Sequence, residues 1–305
     1  MIMKRIFLIL PIVLLFVLAK SGFAQQDPLK AHYMLNQLLV NPSYAGSSEL
    51  ISLDFTSRIQ WVGLEGAPQT YAFSVHAPYK HLLGFGLSLQ RDVAGPLSNT
   101  GFKMSASYHI LLDKNIKLYA GLSAGMNNVN AALSSVEGVQ VDDPAFYKNI
   151  NRFKPIFGAG LYAKFNNGFA GFSVPSLLNQ KYTVETGTWT YQRHAFLMGG
   201  YVFDIHPDFK LRTMAMTRYV KNAPISVEAT LAVIMRDRFW FGLLYRHQDA
   251  VGPLFSIQVY DDFRLTYSYD YSTTQLRTFQ SGSHEVTLTY DIRPIDKSYV
   301  SPRYF

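Results

Sequence analysis

The sequence contains no cysteine and few charged residues. The absence of cysteine from all 305 residues excludes disulfide frameworks, thiolate nucleophiles, cysteine-bearing zinc sites and iron–sulfur clusters. Charged residues make up 16% of the chain, against about 25% in ordinary soluble domains. The mean hydropathy is nevertheless close to neutral, which excludes a bundle of membrane helices.

A long unbroken apolar run occurs only at the amino terminus. Ile6–Ala19 follows a Lys-Arg pair, and small residues precede a possible cleavage point after Ala24. These are the parts of a secretory signal peptide, and the run is shorter than the ~20 residues of a membrane anchor, which is the alternative. We therefore expect residues 1–24 to be removed. Loss of the leader's three cations lowers the formal net charge from +7 to +4, which gives no indication of a nucleic-acid partner.

Beyond about Leu50 the sequence alternates apolar and polar residues with a period of two, as in strands with one apolar face. Ile51, Leu53 and Phe55 show the pattern in the first such segment. Most segments have about 9–13 residues, enough to cross a bilayer at a tilt. The fourteen segments are 50–60, 69–78, 83–91, 100–111, 115–127, 154–165, 168–175, 191–205, 209–220, 224–235, 238–247, 251–260, 262–272 and 283–292.

The connections between these segments alternate in length, as they do at the two rims of an outer-membrane barrel. Five of the six connections expected at the periplasmic rim are short and rich in Asn, Asp, Gly and Pro, whereas most others are longer. A soluble β-sandwich, the competing architecture, would not alternate in this way. The sequence therefore predicts an all-β transmembrane antiparallel barrel of about 14 strands over residues 50–292. Residues 25–49 would form a periplasmic segment, and residues 293–305 a periplasmic tail.

The polar faces that we assign to the barrel lumen carry charges of both signs. This mixture favours ion pairs that fill and stiffen the barrel over a selective solute path. The residues concerned are Asp54, Arg58, Lys103, Lys117, Arg212, Arg218, Glu228, Arg246, Arg264, Asp270, Glu285 and Asp291.

Two segments match enzyme motifs but lack the context that the motifs require. Gly121–Gly125 fits a nucleophile elbow and Gly158–Ala163 fits a dinucleotide fingerprint, yet each motif needs a helix and both segments follow the strand pattern. The eight histidines show no metal-binding spacing. We therefore expect no catalytic residues, no metal and no cofactor, and we do not expect an enzyme.

Several segments are more specific than a barrel requires. They are an N-P-x-Y-A-G segment before the first strand, an R-x-Q-W segment at its end, an L-G-x-G-L-S-L run leading to a Gly-Pro turn, and a later Arg-His pair. The positions are Asn41, Pro42, Tyr44, Gly46, Arg58, Gln60, Trp61, Asp92, Gly95, Pro96, Arg193 and His194. In this order and spacing the sequence resembles the PorP/SprF family of outer-membrane proteins, which belongs to the type IX secretion and gliding-motility machinery of the Bacteroidota.

The resemblance implies a secretion component surrounded by outer-membrane lipid. It would act either in the core translocon with periplasmic partners or beside one secreted adhesin, helping to export it and retain it at the surface. The Asn41–Gly46 segment also resembles the lead-in of FadL-type fourteen-stranded barrels, where it belongs to an amino-terminal hatch. A FadL-like channel for small solutes is therefore the alternative function.

A partner-binding site is expected on the extracellular rim. The segments 58–70, 92–96 and 128–153 would together hold the carboxy-terminal region of a secreted partner, with Trp61 and Tyr147 as aromatic anchors. Trp61 is equally compatible with a place in the aromatic girdle of the barrel. The tail beyond the last strand is either a docking segment or a disordered end.

Overall fold

Fourteen antiparallel strands close into a single barrel in the computed structural model of the chain. The structure describes Tyr33 and Tyr304 together with residues 36–79, 82–113, 115–132, 149–184 and 187–293. The fold class predicted from the sequence is thereby confirmed. The leader 1–24, Tyr147 and most of the carboxy-terminal tail lie outside the described residues. Within the described part of the chain, no helix has the length and apolar character needed to span a membrane.

The wall follows the chain order, since almost every strand pairs with its neighbours in sequence. β16 pairs with β1 and closes the barrel, and β7 pairs directly with β10. The strands are β1 (Ile51–Ile59), β2 (Gln69–Tyr79), β3 (Leu83–Ala94), β4 (Leu97–Asp113), β5 (Ile116–Ala131), β6 (Ile150–Phe165), β7 (Gly168–Val174), β8 (Gln180–Val184), β9 (Gly187–Tyr191), β10 (His194–His206), β11 (Phe209–Val220), β12 (Ser226–Met235), β13 (Phe239–Arg246), β14 (Ala250–Gln258), β15 (Phe263–Ser272) and β16 (Ser283–Ile292).

The two ends of the barrel differ in their connections. β1 begins and β16 ends at the same rim, which carries short turns such as Asn166–Asn167 between β6 and β7. We call this end the turn rim. The opposite end carries the long connections 60–68, 132–149, 175–193 and 273–282 and is called the loop rim.

The loop rim is less regular than the sequence predicts. Gly95 and Pro96 alone join β3 to β4, and β5 and β6 continue to Ala131 and Ile150, which shortens the predicted loop 128–153. The alternation stops before the strands do, because the outward side chains near this rim are polar. They are Arg91, Ser98, Thr100, Asn128 and Asn130.

A hairpin with strands Gln180–Val184 and Gly187–Tyr191 lies where the sequence predicts a loop up to residue 190. β8 and β9 pair with each other in a separate two-stranded sheet. Each strand has only five residues, which is shorter than the segments that the membrane-crossing criterion selects.

The wall is apolar outside and polar inside. On β5, for example, Leu122 is exposed on the outer wall while Tyr119 and Ser123 are buried on the lumen face. All twelve charged residues predicted for the lumen lie on that face: ten are buried, and Lys103 and Lys117 bond to the chain inside the barrel.

The described residues ahead of β1 lie inside the barrel. We call Tyr33 together with residues 36–49 the hatch. It contains two short 3-10 helices, Gln37–Leu39 and Pro42–Tyr44. Its apolar side chains form one buried cluster with lumen-facing residues of the surrounding strands, among them Phe196 and Met214. The part of the segment 25–49 that the structure describes therefore fills lumen space.

Candidate functional site

Glycines on the lumen face of four strands form the surface on which the hatch rests. A Cβ atom at Gly84 would lie 2.1 Å from the carbonyl oxygen of Ala45, and one at Gly121 would lie 2.5 Å from the backbone of Ser43. Any side chain at these positions would displace the hatch. The glycines in contact with it are Gly84, Gly86, Gly121, Gly160 and Gly171.

The side chain of Asn41 fastens the hatch to the wall. Its oxygen accepts the backbone N–H of Ser43 at 3.0 Å and so caps the helix that begins at Pro42. Its amide nitrogen donates to the carbonyl oxygen of Leu161 on β6 at 3.0 Å. A Cβ at Gly160 would come within 2.2 Å of the Asn41 oxygen, so this position of the Asn41 side chain requires glycine at 160.

Gly46 and Tyr44 complete the hatch segment that the sequence singled out. Gly46 has a φ of +73°, and a Cβ there would lie 2.8 Å from the Cα of Gly84; both the backbone angle and the close approach require glycine. The Tyr44 ring packs edge-on against His76 and Tyr162, with centroids 5.1 and 5.6 Å away. The four motif residues Asn41 to Gly46 therefore hold the hatch in place.

Polar groups of the wall satisfy the carbonyl oxygens of the hatch. The Lys103 ammonium donates to Leu39 at 2.8 Å, and the Ser107 hydroxyl donates to Ala45 at 2.6 Å. Lys117 forms an ion pair with Glu49. Because buried carbonyl groups need partners, these bonds favour one position of the hatch over others.

Asn41→Ala is expected to loosen the hatch without unfolding the barrel. The variant loses both bonds of a buried amide, at a cost of about 2 kcal/mol, which corresponds to roughly thirtyfold faster hydrogen exchange within residues 36–49. Asn151→Ala is the matched control, because this exposed asparagine lies at the loop rim, where its side-chain oxygen accepts a hydrogen bond from Asn128. Unchanged exchange in Asn41→Ala would mean that other contacts suffice to hold the hatch.

Near the loop rim, the lumen beside the hatch is filled by a network of buried ion pairs. The guanidinium of Arg58 donates to Glu285 and to Asp270, both at 2.8 Å. Arg246 donates to Glu228 at 2.7 Å and to the same oxygen of Asp270 at 3.3 Å. Arg58 lies directly opposite Glu285 on the neighbouring strand, and Arg246 directly opposite Glu228, so strand register sets these pairs.

A second charged cluster lies near the turn rim. The guanidinium groups of Arg212 and Arg264 lie 5.5 and 4.7 Å from the ring centroid of Trp240, within the range of cation–π contacts. Arg264 also pairs with Asp291 at 3.5 Å. The two clusters thus lie at opposite ends of the lumen.

Buried arginines show how closely the lumen is filled. Arg58, Arg246 and Arg212 are 2%, 1% and 0% exposed. Arginines that line an open aqueous pore would be accessible to water, whereas these are covered at both ends of the barrel. Within the described residues, the hatch and the two clusters occupy the space through which a solute would pass.

A small cavity of about 90 Å³, lined by polar and apolar side chains, lies between the hatch and the loop rim. We call it the vestibule. Asp92 and His194, two of the motif residues, both line it although they are far apart in the sequence. Asp92 accepts hydrogen bonds from Thr70 and Gln90. The other lining residues are Tyr33, Leu39, Val40, Ser88, Gln90, Asn99, Gly101, Lys103, Asn127, Ile156, Pro175, Ser176, Gln180 and Phe196.

Most polar residues of the vestibule were missed as site candidates. The sequence does indicate that Asn99, Lys103 and Asn127 face the lumen, because they occupy the lumen-facing positions in the alternation along β4 and β5. The alternation does not indicate which strands face one another across the barrel. Within the described part of the chain, no group of three or more His, Asp or Glu side chains is arranged to hold a metal ion.

Backbone hydrogen bonds link the loops of the loop rim to one another. The N–H of Trp61, a half-buried residue with a φ of +53°, donates to the Ser283 hydroxyl at 3.1 Å. Val62 bonds to Gly282 across the same two loops at 2.8 Å. The motif residue Gln60 takes part as well, since its N–H donates to the carbonyl oxygen of Pro68 at 2.9 Å within the first loop.

The turn of Gly95 and Pro96 joins further loops to this arrangement. The N–H of Gly95 donates to Gly66 in the first loop at 2.9 Å, and the carbonyl oxygen of Pro96 accepts from Ala132 at 2.9 Å. Arg193 is exposed at the same rim, beside the buried His194. Tyr147, the other expected anchor, lies outside the described residues.

The architecture defines the class of this protein. A closed antiparallel barrel of fourteen strands, apolar on its outer wall and polar within, has the fold of outer-membrane β-barrels. The segment folded into its lumen makes it a plugged barrel.

The chain belongs to the PorP/SprF family. The family described as "Type IX secretion system membrane protein PorP/SprF" matches residues 22–290, which covers the hatch and nearly the whole barrel. The family expected from the sequence is thereby confirmed. No curated protein sequence matches the chain.

Solved structures similar to this one are also barrels. The monoaromatic hydrocarbon channel CymD is 13% identical, with a TM-score of 0.51 over 92% of this chain and 96% of its own. A mutant of the monoaromatic hydrocarbon channel TodX is 11% identical, with a TM-score of 0.50 over 85% and 94%. A FadL homologue from Pseudomonas aeruginosa is 12% identical, with a TM-score of 0.46 over 79% and 89%. At these identities the likeness extends to the fold alone.

Proposed function

We propose that this barrel aids the export and surface retention of a secreted protein through contacts at its loop rim. The role is one of protein binding within the type IX secretion machinery and needs no catalysis. The filled lumen carries the proposal, because Arg58, Arg212 and Arg246 are covered on all sides. The hatch and these buried arginines occupy much of the described lumen, so we infer that the two rims and the lipid-facing wall carry the function.

The proposed orientation puts the turn rim in the periplasm and the loop rim outside the cell. Short turns at one end and longer loops at the other support it, as in outer-membrane barrels generally. Export through the leader 1–24 would deliver the chain to the outer membrane, with both termini on the periplasmic side. Periplasmic secretion components would then meet the turn rim, and the secreted adhesin or cargo would meet the loop rim.

Exposed apolar side chains on joined loops support a docking role for the loop rim. Phe279 is 72% exposed, and Leu64 is exposed on the loop that bonds to the Phe279 loop through Val62. Trp61 lies at the base of the same pair of loops. Apolar groups that project from a hydrogen-bonded framework are typical of protein interfaces. We propose that they bind the carboxy-terminal region of the secreted partner.

Trp61→Ala combined with Phe279→Ala is expected to release the secreted partner. Loss of two aromatic contacts at the centre of an interface costs at least about 2 kcal/mol, which weakens the affinity roughly thirtyfold and lowers the amount of co-purified protein. The measurement is affinity purification from the native envelope, with identification of the co-purifying proteins. Tyr260→Ala is the matched control, since this aromatic residue is 70% exposed at the opposite rim.

A channel for small solutes is the alternative function, and the likeness of the fold to hydrocarbon channels favours it. The two functions differ in a direct measurement. The purified barrel in a planar bilayer is expected to show no steady conductance and to promote no solute uptake. Steady conductance, together with unchanged co-purification in the double variant, would favour the channel over the secretion role.

A further inference from the structure

Tyr304, near the end of the chain, lies against the barrel at the turn rim. Its ring packs on Ile234 and Trp240, which are directly opposite each other on β12 and β13. Both of these residues are buried. Tyr304 therefore occupies a recess on the lumen face of the barrel, eleven positions beyond Arg293, the last described residue after β16.

The carbonyl oxygen and the hydroxyl of Tyr304 both have matching partners. Its carbonyl oxygen accepts a hydrogen bond from Nε of Arg212 at 2.7 Å. Its phenol hydroxyl donates to Asp237 at 3.1 Å and accepts from the ammonium of Lys210. The same ammonium lies 4.8 Å from the centroid of the ring, within the range of a cation–π contact.

The recess is held together by contacts that do not involve Tyr304. Lys210 and Asp237 form an ion pair at 2.8 Å, and Arg212 lies against Trp240. Lys210 and Arg212 are two residues apart on β11 and therefore project from the same face. The partners of Tyr304 are thus positioned by the barrel itself.

We propose that Lys210, Arg212, Ile234, Asp237 and Trp240 form a binding site for a tyrosine within a peptide segment, and that Tyr304 of the same chain is its ligand. The site recognises three features of the ligand: an apolar ring, a hydroxyl that can both donate and accept a hydrogen bond, and a neighbouring backbone carbonyl. Burial raises the pKa of Tyr304, so the phenol keeps its proton and can donate to Asp237. Phenylalanine would leave Lys210 and Asp237 without this bond.

One consequence concerns the tail itself. The sequence left open whether the tail docks to another protein or is disordered. At residue 304 the barrel of the same chain is the binding partner, so another protein that recognises Tyr304 must compete with this site. The inference rests on contacts at the turn rim and does not depend on the secretion role proposed above.

Photo-crosslinking in the full chain tests the proposal. Tyr304→p-benzoylphenylalanine keeps an aromatic ring at the position, and irradiation in the membrane is expected to join it to the peptide containing Ile234 and Trp240. Adding Trp240→Ala and Asp237→Ala should reduce this product at least tenfold. Crosslinks to lipid or to other proteins, with none to the barrel, would overturn the proposal.

Peptide competition gives an independent measurement. A labelled peptide of residues 300–305 is expected to bind the full-length Tyr304→Ala protein in detergent at least tenfold more tightly than wild type, in which the site is already occupied. The same peptide with phenylalanine at position 304 should bind more weakly. Equal binding of the first peptide to wild type and Tyr304→Ala would contradict the assignment of the site.

Discussion

Gly121→Val is expected to expel the hatch and convert a closed barrel into a conducting one. The Cβ alone would lie 2.5 Å from both the backbone nitrogen and the Cα of Ser43, so the valine and the seated hatch cannot occupy the same space. The backbone of Ser43 cannot move aside as a flexible side chain can. The hatch is smaller than the barrel, so we expect the hatch to be displaced. Single-channel recording in planar bilayers should show stepwise conductance in the variant and none in wild type.

Gly199→Val is the matched control for this variant. Gly199 faces outward on β10, and the nearest atom to its Cβ is a backbone oxygen at 3.4 Å, an ordinary van der Waals distance. The same substitution on the lipid-facing side should produce no conductance in the bilayer. If Gly121→Val folds and is also silent, the hatch does not control access to the lumen, and the ion-pair clusters close the barrel on their own.

Arg246→Met is expected to destabilise the barrel strongly. It removes the partner of Glu228 and one of the two partners of Asp270, all within a site that is almost inaccessible to water. Breaking a buried pair in this way costs about 3–5 kcal/mol. Urea unfolding in detergent micelles, followed by the shift in electrophoretic mobility between folded and unfolded barrel, measures the loss.

Arg236→Met provides the comparison, because this arginine is 75% exposed in the turn between β12 and β13 and pairs with Asp208 at 3.3 Å. A surface pair of this kind contributes about 1 kcal/mol or less. The double variant Arg246→Met and Glu228→Gln should recover part of the loss, since it removes the uncompensated charge. Similar stability of Arg246→Met and Arg236→Met would show that the network is not needed to hold the fold.

The strands and their faces could be predicted from the sequence. Apolar and polar residues alternate with a period of two, and this alternation indicates which side chains face the lipid. The segment around Phe55 shows this directly, with Asp54 and Arg58 on the lumen side as expected. The prediction weakens where the wall rises beyond the apolar band, as at Asn128 and Asn130, because polar residues then occupy both faces. The strands remain paired there, but the sequence no longer alternates between apolar and polar residues.

The position of the hatch could not be derived from periodicity. Its two 3-10 helices have three residues each, too few to establish a repeat. The clue was present as glycine on lumen-facing positions: Gly121, which suggested a nucleophile elbow, lies under Ser43. Small residues inside a barrel thus mark where another part of the chain lies, but they do not say which part.

The partners within the ion-pair network were also beyond sequence reasoning. The alternation along the strands assigned Arg58 and Asp270 to the lumen. Their contact depends in addition on the stagger between strands and on side chains long enough to meet across the intervening strand. Glu285 lies opposite Arg58 only in the register that closes the barrel. Composition shows that both signs are present, and the tertiary structure decides which groups meet.

The bond between Arg58 and Glu285 links residues 227 positions apart in the chain and crosses the seam where β1 meets β16. Arg58 lies on β1, the first strand of the barrel to be synthesised, and Glu285 lies on β16, the last. Until that strand joins, the guanidinium lacks Glu285, one of the two carboxylates to which it bonds in the finished wall. Completion of the barrel and formation of this ion pair are therefore a single event, which makes an incompletely assembled wall energetically distinct from the finished one and favours all-or-none insertion.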